Sequence, residues 1–94
     1  MERRKLDPHE IETMLPTLGG WSYNGEQIRK TFKFGSYKDG LVFAVAVGQL
    51  ADRMDHHPDL FIGYQRVEVG LNTHDLGGIS TFDFELARQI ESLV

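Results

Sequence analysis

From Leu41 to Val47 the chain reads Leu-Val-Phe-Ala-Val-Ala-Val, an unbroken apolar run inside a stretch with the signals of one long helix. Ser36 is placed to cap that helix, with Asp39 three residues on to complete a capping box, and the helix should run to about Met54. A helix that is apolar on every side must be covered on every side. One face can lie on a sheet. The other needs either a second copy of the chain or the middle of a core. A chain of 94 residues is a single domain, 1–94, that buries roughly 60–65% of its unfolded surface, which leaves little material to wrap a central helix. The spacing of Gly40, Ala44 and Gly48 offers a stripe of small residues along which a partner helix could approach.

The remaining elements follow from local signals. Asp7-Pro8-His9-Glu10 opens a first helix, with Asp7 as cap, Pro8 at the first helical position and Glu10 closing the box. Pro16 and Gly19-Gly20 end it. Trp21 to Gly25 is a strand entering an Asn24-Gly25 turn, and Gln27 to Gly35 alternates, with Ile28, Phe32 and Phe34 on one face. Lys30 interrupts the apolar set and is expected at an edge, or with its ammonium reaching out past the core. Leu60 to Tyr64 reads as a short strand, with the Tyr64 ring in the core. After a turn at Gln65-Arg66, Val67, Val69 and Leu71 alternate with polar or small residues. Ser80-x-x-Asp83 caps a last helix whose apolar face is Leu86, Ala87, Ile90, Leu93 and Val94. The order α-β-β-α-β-β-α predicts an α+β fold: a four-stranded antiparallel sheet with helices packed on one face.

Composition narrows the function. Cysteine is absent, which removes disulfides, thiolate nucleophiles and Cys-type zinc sites, and fits a reducing compartment. The net charge of −4, with signs interspersed, leaves no basic stripe for nucleic acid. No stretch reaches the ~18 apolar residues of a membrane span, and no apolar run follows Met1, so the expectation is a cytoplasmic protein with no membrane or nucleic-acid partner.

Three of the four histidines fall in one pattern, Asp52-x3-His56-His57-Pro58-x5-Tyr64-x9-His74-x8-Asp83. Unperturbed imidazoles titrate near ~6.5, so a cluster of them can give and take protons at neutral pH. Pro58 disfavours helix at His57, so the pair sits at the helix end. Asp52 and His56, four apart, are expected to hydrogen-bond on one helix face. His57 then points elsewhere, and His74 arrives from a strand end. Imidazoles around one pocket could serve as acid on one atom and base on another. A plain polar helix stop explains the pair equally, capping alone accounts for Asp83, and Trp21 reads first as core filling. A three-histidine zinc site is the sharpest rival, although no two histidines have chelating spacing.

This ordered pattern resembles the signature of the pterin-4a-carbinolamine dehydratases. Gly20-Trp21, Phe32-x-Phe34 and Thr73-His74 agree as flanks, so the resemblance extends over nearly all of the domain. It implies loss of water from 4a-hydroxytetrahydropterin to give quinonoid dihydropterin, which recycles the pterin of aromatic amino-acid hydroxylases, with no metal or organic cofactor. It also implies homodimers or homotetramers built through the Ser36–Met54 helix. Carried over by position, His56, His57 and His74 are the catalytic residues, with His56 and His74 moving protons and His57 placing the ring. Asp55 is the candidate for the aminopyrimidinone edge of the pterin, and Asp52, Trp21 and Asp83 match positions near the pocket. Where this chain has Asp52 the family often has Glu, one methylene longer. A non-catalytic module, either a partner of a transcription factor or a pterin binder of molybdopterin metabolism, is the alternative.

Overall fold

The computed structural model describes residues 1–94. Its elements are α1 (Pro8–Met14), β1 (Ser22–Tyr23), β2 (Ile28–Lys33), α2 (Tyr37–Met54), β3 (Asp59–Gly63), β4 (Arg66–Leu71) and α3 (Thr81–Glu91), with single 3-10 turns at Leu15–Thr17 and His74–Leu76. The strands form one antiparallel sheet in the order β1-β2-β4-β3. The α+β architecture and the element order are those expected from the sequence.

Register explains the core. Ile28 pairs with Leu71, Lys30 with Val69 and Phe32 with Val67, so alternate residues of the two central strands point to one face. That face is buried, and Phe43, Val47 and Ala51 of α2 with Phe84, Leu86, Ala87 and Ile90 of α3 complete its cluster. The other face carries Arg29, Glu68 and Arg66, joined by ion pairs, with the Arg66 guanidinium over the Phe61 ring. Lys30 lies on the core side and its ammonium escapes at the margin, bonding the Gly19 carbonyl at 2.7 Å and pairing with Glu91. An alkyl stem against the core with its charge at the rim resolves the interruption in the apolar pattern.

The caps form as the sequence requires at two helices. Asp7 and Glu10 make a reciprocal box at α1, and Ser80 and Asp83 do so at α3. At α2 only half of the box exists: the Ser36 hydroxyl accepts from the Asp39 amide at 3.1 Å, with no return bond from the Asp39 side chain. The small-residue stripe is also reassigned. Gly40 and Ala44 are buried inside the chain, and a Cβ on Gly40 would sit 3.4 Å from a methyl of Val67, so the glycine lets α2 approach β4. The side of α2 left bare is instead that of Leu41, Val42 and Val45, the two valines 62% and 65% exposed. Tyr64 is a second correction. Its ring is 72% exposed at the β3–β4 turn, where Gln65 takes the left-handed conformation.

Candidate active site

The end of α2 decides which histidine goes where. Asp55 adopts the left-handed conformation (φ 50°), which short polar side chains tolerate better than most. Its amide bonds the Asp52 carbonyl at 3.2 Å and the His56 amide bonds the Ala51 carbonyl at 3.0 Å. This pair of bonds is the Schellman closure usually made around glycine. The reversal carries His56 inward and returns His57 toward the helix surface. The expected Asp52–His56 bond therefore does not form. Asp52 pairs with His57 instead, Oδ1 to Nε2 at 3.0 Å, and both side chains are mostly in solvent.

His56 is 7% exposed and meets Asp83, whose side chain is wholly buried at the start of α3: Nε2 to Oδ1 is 2.6 Å. The second oxygen of Asp83 accepts from the Thr73 hydroxyl and the Ser80 amide, each at 2.8 Å, and the Thr73 and Ser80 hydroxyls lie 2.6 Å apart. A carboxylate only accepts, so Nε2 donates, and in the neutral ring Nδ1 carries the lone pair. Nδ1 has no protein partner, yet no fully buried side-chain nitrogen or oxygen lacks one, so this atom opens to the surface. An imidazole held from beneath by a carboxylate, with its other nitrogen free, is built to accept a proton from a ligand or, once protonated, to return it.

His74 opens the turn that follows Thr73 and is exposed. Asp83 thus joins the two neighbourhoods, bonding His56 through one oxygen and the residue before His74 through the other. Beside His74, the Arg3 guanidinium bonded to Asp75 holds that carboxyl below the usual carboxylate range. A cavity of about 500 Å³ is lined by His74 together with Lys5, Tyr23, Glu26 and Asn72; neither His56 nor His57 reaches it. Nowhere do three or more His, Asp or Glu side chains converge so as to hold a metal ion.

The other candidate residues separate by environment. Asp55 is exposed and its carboxylate makes no bond within the chain, so it is open to a ligand. Asp83 has both oxygens occupied and no open surface, so it supports His56 rather than meeting a ligand. Trp21 packs edge-on to Phe32 in the core, with its indole N–H donated to Glu91 at 2.8 Å. By sequence alone Thr73 and Ser80 are only a flank and a cap. Their adjacency to His74 and Asp83 was the available signal, but their convergence on one carboxylate depends on the loop between them.

The family model described as pterin 4 alpha carbinolamine dehydratase matches residues 4–93. A Sulfolobus acidocaldarius protein provisionally named pterin-4-alpha-carbinolamine dehydratase is 44% identical over 89 residues, 95% of this chain and 98% of its own. One from Paracidovorax citrulli, named in the same way, is 45% identical over 96 residues, 98% of this chain and 83% of its own. Among solved structures, a transcriptional coactivator/pterin dehydratase from Brucella melitensis superposes with a TM-score of 0.89 at 33% identity, covering 95% of this chain and 97% of that one. A pterin dehydratase-like protein identified as a RuBisCO assembly factor in the alpha-carboxysome gives 0.67 at 26% identity, covering 79% of this chain and 88% of that one.

Proposed function

The chain belongs to the pterin-4a-carbinolamine dehydratase family, and on that premise we propose that it converts 4a-hydroxytetrahydropterin to quinonoid dihydropterin and water by histidine acid–base catalysis. Hydroxide leaves poorly, so one group must protonate the oxygen on C4a while another takes the proton from N5. The C4a–O bond then breaks and the electrons of the N5–H bond form the C4a–N5 double bond. Water carries off the added proton, and the base keeps the one from N5. The observation that carries this reading is the bond from His56 Nε2 to the buried carboxylate of Asp83, with Nδ1 left open. Fixing the tautomer gives His56 a basic nitrogen facing outward and stabilises the imidazolium once a proton arrives.

His74, on the turn anchored to the same carboxylate through Thr73, is the proposed second proton-transfer group. His57, exposed and bonded to Asp52, is assigned to placing the ring. Asp55 is assigned to the aminopyrimidinone edge, whose adjacent N–H groups match a carboxylate. Trp21 and Asp83 act one step removed, through packing and through His56. The bare Leu41-Val42-Val45 side of α2 supports assembly of two or four copies through this helix, because exposed apolar stripes of this kind mark contact surfaces. The same stripe favours a second reading, an interaction module of the sort named in the two structural neighbours. A spectrophotometric assay with freshly generated 4a-hydroxytetrahydropterin separates them. Catalysed water loss supports the enzyme, and a rate equal to the uncatalysed one leaves only the module.

A further inference from the structure

Residues 2–6 run antiparallel to the start of α3 and are fastened there at several points. The Leu6 amide bonds the Ile79 carbonyl at 2.8 Å, and the Thr81 amide bonds the Arg4 carbonyl at 3.0 Å. The Thr81 hydroxyl donates to the Glu2 carbonyl at 2.5 Å and accepts from the Arg4 amide at 3.2 Å. Lys5 forms a bridge opposite Ser80, its side chain lying against Gly77-Gly78, and the Leu6 side chain is buried in the core. Arg3 reaches across to pair with Asp75, the residue after His74. The other edge of the segment faces Asp83. Ser80 donates its amide to Asp83, and Thr73, which closes the turn through its bonds to Gly78, holds the same oxygen.

Residues 79–81 are therefore gripped on one edge by the chain's first residues and hold Asp83, the partner of His56, on the other, while His74 shares a cavity with Lys5. A lone exposed ion pair such as Arg3–Asp75 contributes little to stability. Its place matters more than its strength, since it ties down the one turn whose position sets His74, and a misplacement of an ångström in a reacting group can cost ~10²-fold in rate.

We propose that residues Glu2–Leu6 are a positioning strap for the histidine site, with Arg3 and Thr81 as its positioning residues: Arg3 sets the His74 turn, and Thr81 locks the strap onto the segment that orients Asp83. The inference rests on the dehydratase reading for its effect on rate, but not for its effect on the imidazoles.

The test compares the full chain with Arg3→Ala, Arg3→Lys and Thr81→Val by kinetics with 4a-hydroxytetrahydropterin and by ¹⁵N NMR of the imidazole rings, with thermal melts as a control for folding. Expected are a kcat about 10-fold lower in Arg3→Ala and Thr81→Val with KM nearly unchanged, partial recovery in Arg3→Lys, and shifted ring signals for His74 in the first variant and for His56 in the second. If Thr81→Val does not fold, the exposed Arg3 pair carries the test alone. Wild-type kcat and unshifted ring signals in a folded Arg3→Ala would overturn the strap. Ring signals that shift in a protein with no dehydratase activity would leave the strap standing and remove the dehydratase reading instead.

Discussion

His56 and Asp83 stand 27 positions apart in the chain and 2.6 Å apart at Nε2 and Oδ1. A helix end supplies the imidazole and a helix start supplies the carboxylate. Asp83 does two tasks with one side chain, since the oxygen that closes the α3 capping box also takes the Thr73 hydroxyl, while the other holds His56.

Removing either member should show in different assays. His56→Ala is expected to lower the dehydration rate by ~10²–10⁴, the usual contribution of a positioned acid or base. Asp83→Asn keeps the shape but can turn an amide N–H toward the ring and favour the other tautomer, so kcat should fall at least ~10²-fold with the fold retained. Asp83→Ala leaves buried donors without a partner and should cost about 3–5 kcal/mol in urea denaturation. Full activity in Asp83→Asn would remove the tautomer argument.

The Asp52–His57 pair behaves differently because water surrounds it. A double-mutant cycle with Asp52→Ala and His57→Ala should return a coupling of about 0–1 kcal/mol in stability. Turnover in His57→Ala should fall less than in His56→Ala. A coupling several times larger would mean that this surface is covered, by another copy or by a ligand.

On α2, Val42→Glu and Val45→Glu place charge on the bare apolar side. Each valine would contribute roughly 1.5–3 kcal/mol if a partner covered it, so the double variant should sediment as a smaller species than wild type. Water loss per chain should persist, unless neighbouring chains share a site. Equal sedimentation of variant and wild type would show that this side of α2 is not the contact.

Acid should loosen the strap before the core. The Arg4 guanidinium and the Asp7 amide hold the Glu10 carboxyl below its ordinary range, and the Arg3 guanidinium does the same for Asp75. A lowered carboxylate contributes stability that is fully present above its unfolded value near ~4 and is lost as pH falls through the lower folded value. Protection factors for hydrogen exchange at Leu6 and Thr81 should therefore fall below about pH 4 while those of the β4 amides hold. In Arg3→Ala the Asp75 share of this acid dependence should vanish, so protection at Thr81 should be lower already at neutral pH and fall less on acidification, and a pH dependence identical to that of wild type would contradict this.

Much of the architecture was legible because its causes are local. Ser80-x-x-Asp83 and Asp7-x-x-Glu10 cap their helices with groups three residues away, and Val67, Val69 and Leu71 reveal their face by alternation alone. The pairing of Asp52 with His56 expected from their spacing assumes a helix that continues to His56, and the left-handed Asp55 ends it first. Tyr64 was placed in the core by its strand, whereas it occupies the turn beyond it.

Sequence by itself determined the number, kind and order of the elements, since backbone hydrogen bonding and the periods of helix and strand act between near neighbours. Only the tertiary structure decided that Asp55 turns left-handed, that His56 goes inward to Asp83 and that residues 2–6 close over the His74 turn. Those outcomes depend on which distant groups are left to satisfy one another once the core has closed. A buried carboxylate takes whatever donors the packed chain brings to it, and spacing along the sequence does not name them.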